Sequence, residues 1–185
     1  AAMTLCAKTV STLVREVSEA DCTRFDCTSN TSMKVKSTEA IQELAAPIKS
    51  HKNLKRLLLT ECEISDEGCN ILADILAENA SIEELVLDRN KIGDEGAQAL
   101  AEALRNNETL LTLSLQSQQV RNLREETMEQ FIEMFNDNVT LTKIVWHLES
   151  RKSSLLNELL TRNAEIRKRK DEREDEPTEA APDEA

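Results

Sequence analysis

Side chains suited to chemistry are few in this chain, and their spacing assembles no reaction centre. Two histidines, His51 and His147, stand in 185 residues, and neither has a Ser or Cys nucleophile motif beside it. Five cysteines, Cys6, Cys22, Cys27, Cys62 and Cys69, form no C-x-x-C pair and no Cys/His cluster, so no metal is expected. Their odd number fits free thiols of a reducing cytoplasm better than a disulfide framework. Acidic pairs such as Asp66 and Glu67 fall where helices begin, and helix starts enrich acids whether or not they catalyse anything. No glycine-rich phosphate loop occurs. The expectation is a non-enzyme that needs no cofactor.

Charge is the remaining chemistry. The formal net charge is −12, of which residues 171–185, "DEREDEPTEAAPDEA", carry −7. That run holds no apolar residue larger than Ala and is expected to be a disordered acidic tail. An acidic body disfavours nucleic acid, whose phosphates need positive surface, and an anionic membrane for the same reason. Two segments run against this background. "SLQSQQVRNLREET", residues 114–127, is rich in Gln, Asn and Arg, with Arg121 and Arg124 as candidate contacts. It reads equally as a polar binding loop or a neutral insertion. "RNAEIRKRK", residues 162–170, offers Arg162, Arg167, Lys168 and Arg169. Cations there either stabilise a helix C-terminus or meet an acidic partner.

The elements that position these groups come from a repeat. "LLLTECEISDEG" (57–68) returns as "LVLDRNKIGDEG" (85–96), 28 residues later. Lines of the form L-x-x-L-x-L recur in register, with apolar anchors at Cys22/Phe25/Cys27, Leu54/Leu57/Leu59, Ile82/Leu85/Leu87, Leu110/Leu113/Leu115 and Leu141/Ile144/Trp146. Their spacings of 32, 28, 28 and 31 mark leucine-rich repeats, each a short strand and a helix. With aromatics at 2% of residues, the core must be aliphatic. The predicted fold is α/β: a short right-handed leucine-rich-repeat solenoid of five parallel strands, with helices on the convex side and helical caps at both ends.

Helices are expected over Ser37–Lys49 and Glu125–Asn136, and from Asp66 and Asp94, whose carboxylates would cap their own first turns. Gly68 and Gly96 would let helix approach strand. Position Cys62/Asn90 is where a side chain can hold the turn after each strand. Caps are expected from Thr4–Val17, within an N-terminal capping helix of 1–20, and from Ser153–Ile166, whose Leu155, Leu156, Leu159, Leu160 and Ile166 would cover the last layer. Residues 21–170 make up the repeat domain. Alternation sends Arg24, Arg56, Glu84, Thr112 and Lys143 outward in one row, and Asp26, Leu58, Val86, Ser114 and Val145 in the next. Leu58, Val86 and Val145 could form a mild apolar binding stripe, or be ordinary half-buried strand residues.

The order "LRNNETLLTLSLQSQQ", a helix, "FNDNVTLTKIVWHLES", then a helix ending "LLTRNAEIRKRK" resembles the leucine-rich-repeat domain of tropomodulins and leiomodins. The resemblance spans roughly residues 5–170 and rests most on Asn106-Asn107-Glu108, Asn136-Asp137-Asn138 and the final Ile-Arg-Lys-Arg. It implies a monomeric, cytoplasmic, cytoskeleton-associated protein that binds actin, caps filament pointed ends, and uses the 116–124 loop and the 162–170 segment. The tropomyosin-binding and first actin-binding stretches that tropomodulins carry before this domain are not in the sequence, so tropomyosin is not an expected partner. The middle repeats equally resemble ribonuclease-inhibitor-type repeats at large. That leaves a generic protein-binding scaffold, or a GTPase-activating protein using Arg89 and Asn90, as alternatives.

Overall fold

The computed structural model describes residues 8–120, 123–146 and 152–174. Helix α1 (Val10–Val17) precedes β1 (Arg24–Asp26), α2 (Thr31–Val35) and α3 (Ser37–Ser50). Then come β2 (Arg56–Leu58), α4 (Asp66–Glu78), β3 (Glu84–Val86), α5 (Asp94–Leu104), β4 (Thr112–Ser114), α6 (Glu125–Met134), β5 (Lys143–Val145) and α7 (Ser153–Glu174). The five strands lie in one parallel sheet in chain order, with Phe25, Leu57, Leu85, Leu113 and Ile144 in register. The anchors of the repeat form one aliphatic core: Leu54, Leu59, Ile82, Leu85, Leu87, Leu110 and Leu113 are all buried beneath the helices.

Three-residue strands contribute few ladder bonds, so side-chain amides join the repeats. Asn79 donates through Nδ2 to Ile48 O (2.7 Å) and His51 O (3.1 Å), while its Oδ1 accepts from the backbone of Ser81 and Ile82. Asn107 repeats this one layer on, donating to Leu76 O and Asn79 O and accepting from Thr109 N and Leu110 N. Asn138 does so again with Leu104 O, Asn107 O, Thr140 N and Leu141 N. The first rung is His51. Its Nδ1 accepts from Asn53 N and Leu54 N, which leaves the proton on Nε2, 3.0 Å from Glu19 O. His51, which has no catalytic motif beside it in the sequence, therefore holds a loop.

A second ladder lies at the other ends of the strands. Asn90 is fully buried; its Oδ1 accepts from Cys62 N and Ile64 N, and its Nδ2 donates to Leu59 O and Leu87 O. Gln118 takes the equivalent place one repeat on, accepting from Ile92 N and donating to Leu87 O. Cys62 fills the place before, its thiol donating to Cys27 O at 3.1 Å. The turns here carry Ser29, Glu61, Arg89 and Ser117 at φ of 54–56°, left-handed conformations that cost non-glycine residues energy and persist because the next repeat fixes them. Ser29 N, Glu61 N and Arg89 N each donate to the carbonyl of the neighbouring turn.

Five expectations need correction. Asp66 and Asp94 do not cap their own helices: Asp66 Oδ1 accepts from Gly93 N (2.6 Å) and Gly96 N (3.0 Å), and Asp94 Oδ1 from Arg124 N (2.8 Å) and Thr127 Oγ1 (2.5 Å). Each acid serves the start of the following helix, because parallel stacking brings that start alongside. Gly96 accordingly permits helix-to-helix contact, since a Cβ would stand 2.6 Å from Asp66 Oδ1 and 2.9 Å from Cys69 Cβ. At the N-terminus Thr9 caps α1 by accepting from Thr12 N, so the helix begins at Val10, and residues 4–7 of the expected cap lie outside the described residues. At the other end Leu156 is buried, while Leu155 and Ile166 point to solvent at 43% and 40% exposure. Helix α7 also runs on to Glu174, four residues into the run expected to be disordered.

Two stability predictions follow from the ladders. Asn107→Leu strands buried carbonyls and amides in two loops at once and should cost about 3 kcal/mol. Exposed Asn106→Ala should stay within about 0.5 kcal/mol, both read from urea denaturation midpoints. Glu61 accepts from Ser29 Oγ (2.5 Å) and Arg89 Nη1 (3.0 Å), which together hold its carboxyl from an ordinary 4.5 down to about 2. Its contribution is thus present above pH ~4.5 and is lost as pH falls toward 2. The Tm gap between the native chain and Glu61→Gln should close across that window and stay constant above it.

Candidate partner-binding surface

The functional question falls to the surface, because the groups with chemical potential are committed to structure. Burial raises the Cys27 and Cys69 thiols, and pushes Cys62 up to about 12. Among the described residues no three His, Cys, Asp or Glu side chains converge as a metal site, and no helix is long and apolar enough to cross a membrane. Asn90 is fully committed to its turn, whereas Arg89 pairs with Glu61 at 3.0 Å and remains 64% exposed.

The concave rows stand as the alternation predicts. Arg24, Arg56, Glu84, Thr112 and Lys143 are in register, and beside them Asp26, Leu58, Val86, Ser114 and Val145. Their charges are largely self-matched: Arg56 pairs with Glu84 at 3.1 Å, Arg24 with Asp26 at 2.9 Å, and Lys55 with Glu83 at 2.7 Å. Leu58 and Val86 are half-buried neighbours. Buried Ser114, whose hydroxyl donates to Asp88 Oδ1 at 2.6 Å, separates them from Val145. The sequence-predicted stripe is therefore a two-residue spot and one detached valine.

The two basic segments occupy opposite edges of the solenoid. Arg124 is the residue before α6; its backbone N is held by Asp94, its Nε lies 3.3 Å from Asp94 Oδ2, and its side chain is 77% exposed. Arg121 and His147 fall outside the described residues. Helix α7 runs alongside α6 in the same direction: Lys152 pairs with Glu129 midway along α6, and Arg162 reaches Phe135 O at its end. Arg167, Lys168 and Arg169 therefore lie beyond the far end of α6, whose ten residues span about 15 Å.

Along α7 the four candidate cations divide. Arg162 is half-buried and turned inward, donating to Phe135 O, Asn138 O and Asn163 Oδ1. Arg167, Lys168 and Arg169 are exposed, and each has an acid one turn away: Asp171 at 3.7 Å, Glu172 at 3.8 Å and Glu165 at 4.0 Å. Such exposed pairs stabilise the helix weakly and leave the cations free to exchange partners. Lys170 lines a cleft of about 840 Å³ between α7 and the loops at 105–108 and 136–140, where Val139 is 49% exposed. The inward turn of Arg162 and the committed Asn163 were not foreseen. The one available signal was that Asn79, Asn107 and Asn138 recur just before the Leu lines.

No curated protein sequence matches the chain. Among solved structures, one titled leiomodin-1 Actin-Binding Site 2 is similar at a TM-score of 0.78 and 24% identity, covering 88% of this chain and 93% of that one. The tropomodulin C-terminal domain of Caenorhabditis elegans superimposes at a TM-score of 0.76 and 18% identity, covering 88% and 98%. At these identities the likeness speaks for the fold. A family model, the TMOD/LMOD leucine-rich domain, matches residues 9–166, from the cap of α1 to the middle of α7, and the chain belongs to that family.

Proposed function

We propose that this chain is a non-catalytic actin-binding module that acts at filament pointed ends, with the exposed cations of α7 making the principal contact. Family membership over residues 9–166 carries this reading, and the name of the leiomodin-1 Actin-Binding Site 2 structure points the same way. Three features of the chain support it. Cys27, Cys62 and Cys69 are buried and His51 is committed to a loop, which suits a module that binds without catalysing. Basic groups stand at two opposite edges, the arrangement a protein needs to touch more than one subunit of a polymer. The α7 cations are exposed and only loosely held, which suits an acidic protein surface. A cytoskeletal location follows from that partner.

The test is elongation of pyrene-labelled actin with barbed ends blocked, beside co-sedimentation with filaments. Micromolar protein should slow pointed-end growth. Unchanged growth together with an empty pellet would end the proposal, whereas binding without slowing would keep actin and remove capping. Reversing the α7 charges by Arg167→Glu, Lys168→Glu and Arg169→Glu should weaken binding by about 10- to 100-fold and flatten its salt dependence.

The concave face gives the contrasting expectation. Leu58→Glu with Val86→Glu puts acids on the two-residue apolar spot and should change actin affinity by less than about threefold, since single half-buried aliphatics are ordinary surface. A loss comparable to that of the α7 triple variant would move the contact to the sheet.

A further inference from the structure

The last side chain that anchors α7 is Asn163; from Ala164 to Arg173 every residue is exposed. That stretch forms a helical arm about 15 Å long, charged nearly all round and laced by pairs one turn apart, Glu165–Arg169, Arg167–Asp171 and Lys168–Glu172. Each such pair stabilises the helix weakly, so the arm is ordered as the continuation of the packed turns of α7. Its direction must be set where it leaves the protein.

At that point the packing is of two kinds. Leu156, Leu159 and Leu160 rest on the core, and apolar contact is non-directional, so it leaves the helix able to roll and tilt. Directional contact comes from two consecutive residues. Arg162 Nη2 donates to Phe135 O (2.8 Å), at the negative end of α6, and to Asn138 O (3.2 Å). Asn163 Nδ2 donates to the same Asn138 O (3.2 Å) and to Leu141 O (2.9 Å). Its Oδ1 accepts from Arg162 Nε (3.1 Å) and Nη2 (2.8 Å), which joins the two side chains to each other. Three carbonyls on one loop thus hold a single turn of α7, and a planar guanidinium reaching two of them fixes rotation as well as distance.

We propose that Arg162 and Asn163 form a clamp that sets the direction of the charged arm, and that Arg162 supports partner binding by positioning Arg167, Lys168 and Arg169 rather than by touching the partner. This rests on the actin-binding reading above and deepens it. Without the clamp the arm samples many directions, and affinity falls by the fraction of chains that present the cations correctly. The clamp also sets the width of the cleft that Lys170 lines.

The test uses the full chain with Cys6→Ser and Cys22→Ser, and spin labels at Asn106→Cys, on the α5–β4 loop, and Ile166→Cys, exposed on the arm. Electron-electron distance measurement should give one narrow distribution. Arg162→Met keeps the aliphatic stem and removes the donors; it should broaden that distribution and weaken actin co-sedimentation about tenfold, with the unfolding transition retained. Arg162→Lys, a single point donor, should recover part of both effects, and serves as the measured variant if Arg162→Met does not fold. A distribution that stays narrow while binding falls means Arg162 touches the partner, and overturns the clamp. A broad distribution with unchanged binding overturns the positioning role. If the unsubstituted chain does not bind actin, the functional reading fails by itself, and the distance distributions still decide whether the clamp sets the arm.

Discussion

The structure depends on the need of an open solenoid to satisfy the backbone of every loop from the loop beside it. Strands of three residues cannot do this alone, and neighbouring repeats supply the missing partners. The amide side chain answers the need because it donates and accepts at once. Asn79, Asn107 and Asn138 each give two hydrogens to the preceding layer and take two from their own loop. A carboxylate would lack the donors, and an aliphatic would lack both functions while leaving buried carbonyls and amides unpaired. His51 begins the series because its layer needs an acceptor for two amides and one donor toward Glu19. Asn163 ends it from a helix rather than a loop, which is how the solenoid stops.

The same logic governs the charges. Asp66 and Asp94 reach forward to the next helix start. Glu61 meets Arg89, Glu63 meets Lys91, Lys55 meets Glu83 and Arg56 meets Glu84, each pair joining equivalent positions one repeat apart. Opposite signs at matching places in successive repeats hold the register and leave the concave face largely neutralised. Individually such exposed pairs contribute little. Collectively they leave few cations at the centre of the sheet, and that is why the candidate surface lies at the edges and along α7.

The repeat spacing and the alternation inside each line made the sheet order, the register and the facing of every strand residue legible, because those are periodic properties and the chain writes them five times. What stayed hidden depends on neighbours in space. An Asp at a helix start can cap its own turn or the adjacent one, and composition does not distinguish the two. A short Arg-rich run at a helix end looks uniformly exposed, yet Arg162 turns inward because the helix face that carries Leu156, Leu159 and Asn163 comes round to it. The end of α7 was hidden for another reason. The acids after Lys170 look like a tail by composition, but at four-residue spacing from Arg167 and Lys168 they are the partners that extend the helix.

That extension bears on how the surface discriminates. Arg167, Lys168 and Arg169 are matched by Asp171, Glu172 and Glu165, and from Ala164 to Arg173 five cations stand against three acids, so the arm's net charge is only +2 and its field decays within about 8 Å at physiological salt. Long-range attraction by a basic patch therefore cannot be its main source of affinity, least of all on a chain with net charge −12. What a helix offers instead is geometry: cations at fixed spacing that can leave their neighbouring acids for acids on a partner when the two surfaces meet in register. Exchanging one exposed pair for another gains little energy, so such a contact rewards correct orientation and penalises every other. The direction of the arm then matters to recognition beside its charge, and that direction is decided in the loop beneath Arg162 and Asn163.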